Sequence, residues 1–74
     1  MSSIRQSFEE QLNELQEDVV RMGGLAAEAV NSAVRALVKR DQKDIDKVLE
    51  TENRIDALNM SIEKKGVQLL ALQQ

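Results

Sequence analysis

The side chains in this sequence best suited to chemistry are four oxygen donors, Glu52, Asp56, Asn59 and Glu63. On a helix, at ~100° per residue, they fall within about 60° of one another and form one acidic stripe. Glu52 and Asp56 stand four residues apart, where like charges repel by a few tenths of a kcal/mol. A cation held between them reverses that sign. An oxygen-only donor set points to a hard ion, Fe³⁺ or another divalent or trivalent cation such as Mn²⁺, Mg²⁺ or Ca²⁺. The chain has no His and no Cys, so a structural zinc site is not expected. Two carboxylates cannot fill a coordination sphere, and the remaining ligands must come from water, another helix or another chain. The competing reading, a solvated helix face, stays open. Arg54 and Lys64 point elsewhere on the wheel and do not neutralise the stripe.

The same inventory argues against an enzyme. No Ser–His or Cys–His pair can be assembled, and Gly23-Gly24 is not preceded by a strand, so it is not a phosphate-cradling loop. The formal charge is −3 with ten Lys and Arg against thirteen Asp and Glu, and Phe8 is the only aromatic residue. Nucleic-acid binding needs clustered cations and stacking rings, and neither is present. No apolar run approaches the ~18 residues of a membrane span, and the start Met1-Ser2-Ser3-Ile4-Arg5 carries no apolar signal region. Direct membrane insertion is not expected, and the expected location is the cytoplasm.

The elements that carry the stripe can be read from the apolar spacing. Phe8, Leu12, Leu15, Val19, Met22, Ala26, Ala29, Ala33 and Ala36 alternate steps of four and three, a heptad-like seam. Leu25, Val30, Val34, Leu37 and Val38 widen that face, so more than one neighbour is expected. Ser3 and Gln6 fit a capping box, and the first helix is predicted over about residues 4–39. The seam keeps its phase through Gly23-Gly24. The pair is therefore read as lying within one continuous helix, as a close approach or a mild kink. Lys39 and Arg40 suit a helix C-terminus, and Asp41 is a good N-cap for a second helix. The turn is placed at about 40–42 and the second helix at about 42–72. Val48, Ile55, Ile62 and Leu69 form its apolar line, with Leu58 and Leu72 on one side and Ile45, Leu49 and Leu70 on the other. So short a connection makes the fold class an all-α, long antiparallel two-helix hairpin. Seventy-four residues is close to the lower limit for a self-sufficient core, and no disulfide can supplement it.

Several segments resemble the PhoU family. Phe8, the run Gln11-Leu12-Asn13-Glu14-Leu15 and Met22-Gly23-Gly24 are similar to its first helix. Ala33-Val34-Arg35-Ala36-Leu37 followed by Asp41 matches its hairpin. Val48-Leu49-Glu50-Thr51-Glu52, Ile55-Asp56 and Leu69-Leu70-Ala71-Leu72-Gln73-Gln74 match its second helix in order and spacing. Family members consist of two similar three-helix bundles, so residues 1–74 correspond to an incomplete domain, the opening part of the first bundle. The resemblance implies a regulator of phosphate uptake and of phosphate-starvation signalling. Its implied partners are the phosphate-transport ATPase and the sensor histidine kinase. It also implies metal binding through an acidic motif that Glu52 and Asp56 fit. A homodimer is expected for the chain by itself, a second copy supplying the helices that complete a bundle. The alternative is a self-contained hairpin dimerisation module with no metal or phosphate role.

Overall fold

The computed structural model describes residues 2–73, which form two helices, α1 (Ser2–Lys39) and α2 (Gln42–Gln73). The capping box expected at Ser3 rests on a side chain outside the described set, and the backbone is already helical at Ser2. Gly23 and Gly24 sit inside an unbroken α1, as their phase predicts. A Cβ built on either glycine, or on Gly66, meets nothing within 4 Å. No close approach within the hairpin therefore requires them.

The turn is made by two residues. Arg40 adopts a left-handed conformation with φ of 54°, and its N–H donates to the carbonyl of Ala36 at 2.8 Å, closing the end of α1. Asp41 then caps α2. Its Oδ1 accepts from the Lys43 N–H at 3.0 Å, and its carbonyl accepts from the N–H groups of Asp44 and Ile45 at 3.1 and 3.2 Å. A left-handed residue followed by an N-cap reverses the chain in the shortest space, so the helices run antiparallel in a rod 57 Å long.

The packing seam is rotated from the one the spacing predicts. The line Phe8, Leu15, Met22, Ala29 and Ala36 faces α2 as expected. Its companion line is Gln11, Asp18, Leu25 and Ser32, whereas Leu12, Val19 and Ala26 are exposed. On α2 the expected line Val48, Ile55, Ile62 and Leu69 faces inward, accompanied by Thr51, Leu58 and Lys65. The inward set thus includes polar groups that local periodicity assigns to solvent. Asp18, Ser32 and Thr51 are buried, at 4%, 0% and 2% exposure.

Their burial depends on partners. The Lys65 ammonium crosses from α2 to donate to Asp18 Oδ2 at 2.6 Å and to Glu14 Oε1 at 3.1 Å. The Asp18 bond first, and the Glu14 bond second, push the Lys65 pKa above its ordinary value. The Arg21 guanidinium stands 3.7 Å from the other Asp18 oxygen. Ser32 Oγ accepts from Arg35 at 3.3 Å. Among the described residues no buried side-chain donor or acceptor is left without a partner. This satisfies the requirement that buried polar groups be hydrogen-bonded.

Two helices cannot enclose much. Leu25 and Leu69 are the buried apolar side chains among the described residues. The accessible surface is 5855 Å², against about 4,600 Å² for a compact monomer of this mass. The surplus follows from the 57 Å rod shape, and it leaves apolar side chains turned away from the seam exposed, Val19, Val30, Leu37, Leu49 and Leu70 among them.

Candidate functional site

The rotation of the seam defines a distinct open face. Leu12, Val19, Ala26, Ala33 and Leu37 lie on it from α1, and Ile45, Leu49, Glu52, Asp56, Asn59, Glu63 and Leu70 lie on it from α2. Near the turn this face is an apolar groove lined by Ala33, Ala36, Leu37, Ile45, Val48 and Leu49. The groove exists because alanine on α1 stands opposite larger aliphatic side chains on α2, leaving a trough between them.

The carboxylate row continues from that groove along α2. Glu52, Asp56, Asn59 and Glu63 share one side of the helix, as the spacing predicts, and all are exposed. None of the three carboxylates is in an ion pair among the described residues, where the cross-helix ion pairs belong to Lys65 instead. Leu49 before the row and Leu70 after it place it flush with an apolar surface.

As a cation site the row is partial. Among the described residues no group of three or more His, Cys, Asp or Glu side chains converges closely enough to hold a metal ion. Glu52 and Asp56 are chemically suited to a hard cation but offer two carboxylates, where such ions take roughly six or more oxygens. Asn59 and Glu63 continue the line along the helix without closing around a point. A side chain carried on another helix against this face is the geometric means of completing the set.

A second groove lies on the opposite side, lined by Arg21, Leu25, Arg54, Ala57, Leu58 and Ser61. The apolar spacing does not single it out, because the signal lies in the cations that flank the seam. The Glu14–Asp18–Lys65 cluster is equally hidden from spacing, since Lys65 is 51 and 47 residues from its two partners in the chain.

The PhoU domain model matches residues 19–74, most of the chain and all of the carboxylate row. The chain belongs to the PhoU family. Three relatives of this family are each named phosphate-specific transport system accessory protein PhoU homolog, one of them numbered 1. That of Clostridium acetobutylicum is 33% identical over 70 residues, covering 95% of this chain and 32% of the relative. That of Caulobacter vibrioides is 37% identical over 68 residues, covering 92% and 30%. The one of Thermotoga maritima numbered 1 is 39% identical over 64 residues, covering 86% and 28%. The chain thus spans about a third of the length of the curated relatives it matches. No solved structure matches it. No helix among the described residues is long and apolar enough to cross a membrane.

Proposed function

We propose that this PhoU hairpin serves a phosphate transport system as an accessory and regulatory element, acting through helix-mediated protein contacts rather than catalysis. The observation that carries the reading is the open face of a PhoU domain, an apolar groove continuous with an unneutralised carboxylate row. Its partners on this reading are the phosphate-transport ATPase and the sensor histidine kinase, and its effect is to hold the phosphate-starvation response down. The relatives' printed names and the match to the PhoU domain support the link to phosphate transport, and the regulatory part of the reading rests on the family resemblance.

Glu52 and Asp56 enter this reading as two ligands of a hard-cation site, Fe³⁺ being the leading occupant. The rest of the sphere comes from water and from a further helix laid on the same face. The cation would offset the mutual repulsion of the row and couple docking of that helix to metal.

The test is binding of the chain to the purified transport ATPase and to the cytoplasmic part of the sensor kinase, with and without Fe³⁺ or Mn²⁺. Leu37→Asp with Leu49→Asp is expected to abolish binding while the circular dichroism stays helical. Glu52→Gln with Asp56→Asn is expected to remove only the metal response. A chain that binds neither protein, in either metal state, refutes the regulatory reading.

A second reading has its own support. The surplus of about 1,300 Å² over a compact monomer is more than the ~800 Å² that each partner buries in a standard interface. A two-fold homodimer centred on the turn-proximal groove would cover much of it and keep the two carboxylate rows apart. Sedimentation equilibrium at micromolar concentration distinguishes the cases, and a stably folded monomer excludes the dimer.

A further inference from the structure

The cations of the hairpin are unevenly distributed around it. In the half of the molecule nearer the turn, Arg21, Arg35, Lys43, Lys47 and Arg54 all fall on the side away from the carboxylate row, and Lys39 stands beside them at the end of α1. All six are exposed, and the acids interspersed on that side are Glu28, Asp46 and Glu50. The other side of the same half carries Glu52 and Asp56 and no basic residue. A chain of net charge −3 therefore presents a basic face as well as an acidic one.

The basic face has relief as well as charge. Its groove is lined by the apolar Leu25, Ala57 and Leu58, with Arg21 and Arg54 beside them on opposite helices, and by Ser61. Leu25 is buried, Leu58 is half-buried and Ala57 is exposed, so the apolar lining steps outward from the seam to the surface of α2. Arg54 makes no ion pair among the described residues. The antiparallel register also brings Arg35 and Lys47 to the same level on facing helices, where like charges repel and an anion between them is stabilising.

We propose that this groove docks an acidic amphipathic helix of a protein partner. Its apolar stripe would seat on Leu25, Ala57 and Leu58, and its flanking carboxylates would pair with Arg21 and Arg54. Guanidinium forks match carboxylates bidentately, and a trough between two helices accepts a third by its spaced apolar anchors. A nucleic acid is disfavoured by the net charge and by the lack of aromatic rings. An anionic membrane is disfavoured because the exposed apolar side chain of the groove is the small Ala57, whereas interfacial helices insert Trp, Phe or Leu. The surface is separate from the open face, so both can be occupied together.

The probe is a fluorescein-labelled synthetic helical peptide with leucine along one stripe and glutamate flanking it. An isomer with lysine in place of glutamate is the control, and anisotropy is read at low and high salt. The glutamate peptide is expected to bind the 74-residue chain and to weaken as salt rises, and the lysine isomer to show no binding. Arg21→Glu with Arg54→Glu should lower affinity by about tenfold or more. Lys47→Glu, at an exposed position, should lower it by a smaller factor with the helical circular dichroism unchanged. Glu52→Gln with Asp56→Asn, on the other face, should leave it unchanged. Absence of binding, equal binding of the lysine isomer, or loss of binding in the Glu52/Asp56 variant overturns the proposal. Binding to phosphatidylglycerol vesicles without binding to the peptide also overturns it and assigns the face to a membrane.

Discussion

Replacing the three helical glycines by alanine tests how completely the hairpin accounts for its own surfaces. Gly23 and Gly24 interrupt the middle of α1 and Gly66 lies in α2, and an added methyl group at any of them meets no atom within 4 Å. With no clash to offset it, the change reduces to intrinsic helix propensity, which favours alanine by about 1 kcal/mol per site. Gly23→Ala with Gly24→Ala should therefore stabilise by about 2 kcal/mol. In a domain of this size that raises the thermal midpoint by roughly 8–16 °C. Circular dichroism melts of single and double variants at one fixed protein concentration provide the measurement. Gly24 serves as an internal reference, because it lies on the basic side, whereas Gly23 and Gly66 lie toward the carboxylate row. A variant at Gly24 that melts no higher than the parent refutes the propensity argument. A gain at Gly24 with a loss at Gly23 and Gly66 would instead show a neighbouring helix pressed against the open face under the conditions of the melt.

Three further predictions concern the seam and the turn. Leu25→Ala and Leu69→Ala each remove one of the buried apolar side chains. Urea titration should show a loss of about 2 kcal/mol each, the low end for such changes, because voids in so thin a rod open to water. Arg40→Gly should relieve about 1 kcal/mol of left-handed strain, and Asp41→Ala should cost about 1 kcal/mol as the cap of α2 disappears. The two should shift the urea midpoint in opposite directions. Lys65 has a folded pKa above its ordinary value of 10.5, chiefly through its bond to Asp18 and then Glu14. Its stabilisation is therefore complete below the unfolded pKa and is lost as pH rises through the folded one. Melts above pH 10.5 should fall more steeply for the parent than for Lys65→Met, and parallel pH profiles would contradict that assignment.

Much of this architecture is legible in the sequence because it is local. The turn is set by Lys39, Arg40 and Asp41 alone, and the phase carried across Gly23-Gly24 correctly implies one long helix. The side shared by Glu52 and Asp56 is a matter of helical geometry. The second line of the α1 seam is not legible. Spacing favours Leu12, Val19 and Ala26, yet Gln11, Asp18, Leu25 and Ser32 turn inward. Burying a carboxylate is costly unless a cation meets it, and that cation, Lys65, arrives from 47 residues away. Periodicity weighs each side chain by its own polarity and is blind to such pairing. The displaced aliphatic residues form the open face, so the feature that spacing misreads is also the one on which the proposed function rests.

The position of the Lys65 pin has a mechanical consequence. The start of α1 and the end of α2 lie at the end of the rod away from the turn, and the pin ties α2 to Glu14 and Asp18 in that same half. Tension applied through the two ends peels the helices apart level by level instead of shearing the whole seam at once. The pin is among the first cross-helix ties to take the load, ahead of Leu25 and the turn. The hairpin should therefore open from its ends, with the turn half, including the apolar groove and the arginine-lined groove, the last part to lose its shape.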